Sequence, residues 1–125
     1  MRSYISSKPK KQRAIQYKGA INLKRKMLGV PLSNTLREKY GIKTIRVKEG
    51  DNVRICRGDF SGIEGKIIEV DTKKNCLLIE GITKENVSGT TVRVPTHTSN
   101  VVITNLNLDD KWRKRRLNDK KERAK

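Results

Sequence analysis

The sequence predicts a mainly β fold: a small SH3-like barrel of five to six short strands, with a short N-terminal helix and basic extensions at both ends. Three observations lead there. Apolar residues recur with period two from Thr44 to about Leu106, glycine-rich and polar turns cut that stretch into short pieces, and charge is concentrated outside it. So many short strands in about sixty residues favour a closed or half-closed barrel, because closure removes the unpaired edges of an open sheet.

Size and composition fit one such domain. The chain has 125 residues, only 34% of them apolar and 34% charged, against roughly 45–50% and about 25% in ordinary domains. One core is expected, with part of the chain outside it. Residues 1–48 hold 14 Lys or Arg against the single acid Glu38, residues 49–108 hold 7 against 8, and residues 109–125 hold 9 against 4. The near-neutral middle also carries six of the nine glycines and most β-branched residues, the composition of a folded β-domain. The expected division is a basic extension at 1–30, a short helix and connection at 31–43, the barrel at 44–106, and a basic C-terminal helix or tail at 107–125.

Taken in order, residues 1–30 carry Lys8, Lys10, Lys11, Arg13, Lys24, Arg25 and Lys26 with too few apolar residues to fold unaided, and are expected to order on a partner. Pro31-Leu32-Ser33, then Asn34 to Tyr40, then Gly41 reads as a helix with Ser33 as N-cap and Gly41 as a left-handed stop. Leu32, Leu36 and Tyr40 form its apolar stripe, leaving Arg37 and Lys39 outward. Ile45 and Val47 begin the alternation, and Val53 and Ile55 continue it after the turn at Glu49-Gly50-Asp51.

A glycine-rich loop, Arg57 to Gly65, separates that strand from Ile67, Ile68 and Val70. Asp71 to Asn75 is a polar turn into Cys76 to Ile82, and Val92 to Val94 and Val101 to Ile103 complete the strands. Asp109 and Asp110 precede Lys111, Arg113, Lys114, Arg115 and Arg116, the order a helix macrodipole favours. Trp112 is expected to pack on Leu108 one turn earlier.

Several function classes are excluded by what the chain lacks. Two cysteines, Cys56 and Cys76, and the lone His97 make no four-ligand zinc set, so no metal or other cofactor is expected and the thiols read as free strand residues. No nucleophile, acid pair or ligand spacing supports catalysis or a small-molecule substrate. No apolar stretch approaches the ~20 residues of a membrane span, and Met1 to Ile5 lack the apolar run of a secretory signal, so no membrane partner is expected. A formal net charge of +17 instead calls for a densely anionic partner, and nucleic acid fits best.

Gly50-Asp51-Asn52-Val53-Arg54-Ile55-Cys56-Arg57-Gly58 followed by Gly62-Ile63-Glu64-Gly65-Lys66-Ile67-Ile68-Glu69-Val70 resembles the KOW motif. Gly89-Thr90-Thr91-Val92 and Val94 to Thr104, with Pro31-Leu32-Ser33 and Leu36 to Tyr40 upstream, are similar to the large-subunit ribosomal protein twenty-four family, in its archaeal and eukaryotic branch. Thr98 and Asn100 stand where proline and lysine are common in eukaryotes, which favours the archaeal side. The resemblance implies an SH3-like barrel that binds the 5′ region of large-subunit ribosomal RNA near the peptide exit tunnel, supports assembly and touches neighbouring large-subunit proteins in the cytoplasmic ribosome, without forming homo-oligomers. A KOW module of transcription elongation, binding RNA polymerase and nucleic acid, is the alternative.

Within this reading, glycines in the loop let its backbone approach RNA, so Arg57, Gly58, Phe60, Gly62 and Lys66 are candidate contacts. The basic flanks add Lys8, Lys10, Lys11, Arg13, Lys24, Arg25, Lys26, Arg37, Arg113, Lys114, Arg115 and Arg116. His97 is expected to be a hydrogen-bonding loop residue with a secondary phosphate contact. Aromatic residues are only 4% of the chain, too few for a base-stacking platform, so shape and backbone recognition should dominate.

Overall fold

The computed structural model describes residues 6–124. The first five residues, on which the expectation about a secretory signal rests, lie outside them. In chain order the elements are α1 (Pro9–Lys18), α2 (Ile21–Lys26), β1 (Gly29–Pro31), α3 (Asn34–Tyr40), β2 (Thr44–Arg46), β3 (Asn52–Ile55), β4 (Glu64–Asp71), β5 (Cys76–Glu85), β6 (Thr91–His97), a 3-10 turn (Thr98–Asn100), β7 (Val101–Asn105) and α4 (Lys111–Ala124). Among the described residues, no helix is long and apolar enough to cross a membrane.

Five strands form one antiparallel sheet in the order β6-β5-β4-β3-β7, and β1 and β2 form a separate antiparallel ribbon. Period-two alternation works as expected in β3, where Val53 and Ile55 are buried and Asn52 and Arg54 exposed. The ribbon joins the sheet at a single parallel bridge, Leu32 to Ile103, reinforced by Ser33 N–H donating to the Ile103 carbonyl at 2.9 Å. Val30, Leu32, Val53, Ile67, Leu77, Ile79, Ile82 and Ile103 form the centre of one core, which α4 reaches with Leu117.

Of the closed and half-closed forms expected, the closed one is not what forms. β6 and β7 are the two edges and are not hydrogen-bonded to each other, yet the 3-10 turn of only three residues connects them. Five strands laid flat would separate those edges by about 19 Å at ~4.8 Å per step, far beyond what three residues rising ~2 Å each can bridge. The sheet therefore curls strongly at that end while its ladder stays open, and β1 packs against β7 instead. β5 also runs longer than its apolar stretch: it bends at Gly81 (φ 85°), where its pairing with β6 shifts register between Leu78 and Thr83. Beyond that shift Thr83–Glu85 and Thr91–Arg93 make an exposed hairpin arm.

The helices follow their local signals. Gly41 takes the left-handed stop of α3 (φ 65°), a conformation that L side chains rarely adopt. Ser33 holds the N-cap position, although its hydroxyl pairs with Thr35 Oγ1 at 3.1 Å rather than with a helix amide. Residues 6–30, expected to lack order of their own, include two helices: α1 starts at Pro9, whose fixed φ suits a first helical position, and neither α1 nor α2 buries a residue. Their form is local, with little packing behind it.

Candidate nucleic-acid interface

The loop between β3 and β4 is a tight crossing. Gly62 N–H donates to the Ile55 carbonyl at 2.7 Å, Ile55 N–H to the Ile63 carbonyl at 3.0 Å, and Ser61 N–H to the Gly58 carbonyl at 3.2 Å. Gly58 (φ 97°) and Gly62 (φ 86°) supply the positive φ values that this path needs, and open space surrounds both. The amides of Ser61, Gly62 and Ile63 are thus engaged inside the loop and not free to meet a phosphate. Those of Arg57, Gly58, Asp59 and Phe60 have no partner among the described residues, and all but Phe60 sit on exposed residues.

Arg57 is exposed in the loop, and Lys66 is exposed two residues into β4, where it pairs with Asn52. Phe60 is partly buried and packs against the core, so of its two possible uses, insertion into RNA or support under the loop, the structure has the second. Cys56 N–H donates to the Asn100 carbonyl at 2.7 Å, which fixes the loop beside the 3-10 turn. His97 stands at the start of that turn: its Nδ1 lies 2.8 Å from Ser99 Oγ and accepts from Ser99 N–H at 3.2 Å. An accepting Nδ1 leaves Nε2 as the donor on an exposed imidazole. Arg57 and His97, separated by forty positions in sequence, are therefore brought to the same end of the sheet.

The basic flanks are largely unneutralised. Among the described residues the ion pairs are Lys48–Asp110 and Asp51–Arg113, so Lys8, Lys10, Lys11, Arg13, Arg25 and Lys26 face no carboxylate. Lys24 folds back, donating from Nζ to the Tyr17 carbonyl at 3.1 Å. Arg37 is exposed yet its Nε donates to the Leu32 carbonyl at 2.9 Å, tying α3 to its own N-terminal approach. Lys114, Arg115 and Arg116 are exposed on α4.

Arg113 corrects the sequence reading. It is 6% exposed, and its guanidinium holds the fully buried Asp51 with both arms, at 2.6 and 2.7 Å, while also donating to the carbonyls of Asn107 (3.0 Å) and Arg46 (3.1 Å). Asp51 completes its set by accepting from the amides of Lys48 (3.0 Å) and Asn107 (2.9 Å). Both terminal nitrogens of the guanidinium are thus engaged by the carboxylate and two carbonyls, in a side chain that is almost wholly buried. Asp51 itself went unnoticed in the sequence, where Glu49-Gly50-Asp51 reads only as a turn.

Two further corrections concern α4 and the cysteines. Trp112 is 73% exposed instead of packed on Leu108, because α4 begins only at Lys111 and Leu108 therefore has no helical relation to it. Asp110 caps α4, accepting from Trp112 N–H at 3.0 Å, and its carboxyl is held below the usual aspartate value by its hydrogen bond with Lys48 and then by the Trp112 amide. Cys56 and Cys76 are free thiols; Cys56 is exposed just after β3, not within a strand, and burial followed by the charge of Asp71 pushes the Cys76 thiol up. Among the described residues no three potential metal ligands cluster.

The sequence that builds this interface, from the basic N-terminal helices through the glycine loop and the histidine turn to α4, matches a family model along nearly the whole chain. The model that describes the eukaryotic L26 ribosomal proteins together with their archaeal L24-type counterparts covers residues 6–120. The chain belongs to this family. It is 46% identical over 118 residues to the Large ribosomal subunit protein uL24 of Saccharolobus solfataricus, covering 94% of this chain and 99% of that protein. It is 45% identical over 117 residues to the protein of the same name from Nitrosopumilus maritimus, covering 93% and 70%, and 45% identical over 115 residues to that of Korarchaeum cryptofilum, covering 92% and 88%. Membership in this family makes the chain a structural ribosomal protein and not an enzyme.

Proposed function

We propose that the protein is a structural constituent of the large ribosomal subunit in the cytoplasmic ribosome, where it grips large-subunit ribosomal RNA with its KOW-type loop and basic flanks. The observation that carries this reading is the family match over residues 6–120, which takes in α1, α2 and the histidine turn as well as the loop. The physical support is the contrast between a near-neutral sheet and basic helices whose cations, Arg113 apart, have no carboxylate partner among the described residues. Such an arrangement is relieved by a polyanion.

In finer terms, the curled sheet of residues 44–106 is an SH3-like module, residues 1–30 order on RNA, residues 31–43 fix that arm to the sheet, and residues 107–125 add a second grip. Arg57, Lys66 and the free amides around Gly58 approach the RNA backbone, and His97 adds a donor beside them. Contact with the 5′ region of the RNA near the peptide exit tunnel, with neighbouring large-subunit proteins and an early part in assembly complete the reading. Salt-washed ribosomes separated into subunits on sucrose gradients test it: stoichiometric recovery of the protein in the large-subunit fraction by mass spectrometry is expected. Recovery only in the free pool or beside RNA polymerase would sink it.

A further inference from the structure

Outside the loop interface, a groove of about 690 Å³ runs between α4 and the side formed by α2 and β2, within the ~300–1,000 Å³ range of small-ligand sites. Its floor is apolar, with Leu28, Val47 and Leu117 almost fully buried. Trp112, Arg116 and Lys120 stand along one edge at i, i+4 and i+8, one row on the helix, and all three are exposed. Arg25 of α2 also lines the groove. Lys48 on the same rim is neutralised by Asp110 and Arg113 by Asp51, so the uncompensated positive charge is that of Arg25, Arg46, Arg116 and Lys120, set beside one large aromatic face.

We propose that this groove receives a single unpaired nucleotide extruded from RNA, its base stacked on Trp112 above the apolar floor and its flanking phosphates on Arg116, Lys120 and Arg25. The proposal rests on the RNA-binding reading and adds a base-stacking site to an interface otherwise made of backbone contacts. An aromatic ring open to solvent next to guanidinium and ammonium groups is the combination by which single-stranded nucleic acid is held, stacking for the base and charge for the backbone. A bare apolar partner would leave those cations desolvated and unpaired, and the excess of cations over the two rim acids, Glu49 and Asp110, sets the sign of the occupant.

Trp112 is the sole tryptophan, so its emission reports on this groove alone. The full chain is titrated with end-labelled hexa-adenylate, with an abasic ribose-phosphate hexamer, and with an acidic peptide of equal charge, following label anisotropy and tryptophan emission together. Both hexamers are expected to bind, with only the base-bearing one quenching Trp112. Trp112→Ala should weaken hexa-adenylate binding by about five- to 150-fold, the equivalent of one base–aromatic stack, leave the abasic hexamer unaffected, and be rescued largely by Trp112→Phe. Binding of hexa-adenylate without quenching, or with no loss in Trp112→Ala, overturns the groove and leaves RNA binding standing, whereas no binding of either hexamer overturns RNA binding itself. Quenching by the acidic peptide alone would make the groove a protein-docking site and likewise overturn the proposal.

Discussion

Asp51 and Arg113 lie 62 positions apart and meet with no exposed surface on the carboxylate. Burying two charges is costly, and their fork-to-fork contact with four backbone hydrogen bonds offsets that cost only while both are present. Arg113→Ala should therefore lower unfolding free energy by about 3–5 kcal/mol, the range for stranding one half of a buried pair, as read from urea denaturation. A loss under about 1 kcal/mol, the scale of a surface pair, would show that the contact is not holding α4 to the sheet. The cysteines give a second residue-level outcome. Cys56 is exposed, and Cys76 is partly buried with its thiol pushed up by burial and then by Asp71, so at pH 8 iodoacetamide should alkylate Cys56 before Cys76; peptide mapping showing equal rates would contradict that ranking.

Gly65 shows how an element depends on one missing atom. A Cβ there would meet both the Glu80 carbonyl oxygen and Ile79 Cγ2 at 2.6 Å, so β4 and β5 approach at a separation that only glycine permits. Gly65→Ala should cost about 1–3 kcal/mol, as overpacking does, visible as a lower urea midpoint; an unchanged midpoint would mean that β5 yields freely. For α4, the relevant group is Asp110, whose carboxyl is depressed by Lys48 and the Trp112 amide. A depressed carboxyl binds its proton less readily when folded, so its stabilisation is complete above the unfolded value of about 3.9 and is lost as pH falls through the lower folded value. The acid limb of the unfolding curve should accordingly be shallower in Asp110→Asn than in the parent, measured by helicity between pH 5 and pH 2, and identical limbs would argue against the cap. Such elements differ in how far sequence reveals them. The α3 stop at Gly41 and the Val53/Ile55 alternation are local patterns, and both were legible. The Asp51–Arg113 contact and the exposure of Trp112 depend on where α4 begins and on which turn it lands, and neither has a signature within one window of sequence. The helical form of α1 and α2 was hidden because a basic, apolar-poor segment reads the same whether coiled or helical when nothing packs behind it.

At the scale of the whole molecule, the near-neutral sheet and the basic flanks divide the work of binding a polyanion, and ionic strength separates their shares. Each cation that neutralises a phosphate releases a counterion, so log K falls against log salt with a slope of about −0.7 per contact on single strands and about −0.9 on duplex. Replacing Lys8, Lys10, Lys11 and Arg13 of the N-terminal arm together by glutamine should reduce that slope by about 3, since each is exposed and faces no carboxylate among the described residues. Arg57→Gln with Lys66→Gln should reduce it by about 1.5 if both side chains rest on phosphates. Filter binding of the full chain to a fragment of large-subunit ribosomal RNA, from low to physiological salt, resolves the two sets. A slope that responds to the loop pair but not to the arm would mean that the arm's charge is merely solvated; a response to the arm alone would mean that the loop is an ordinary turn and that the sheet serves only to carry the flanks. The charge segregation favours a response to both, with the arm larger, because a sheet region holding 7 basic against 8 acidic residues has little net charge with which to attract phosphate.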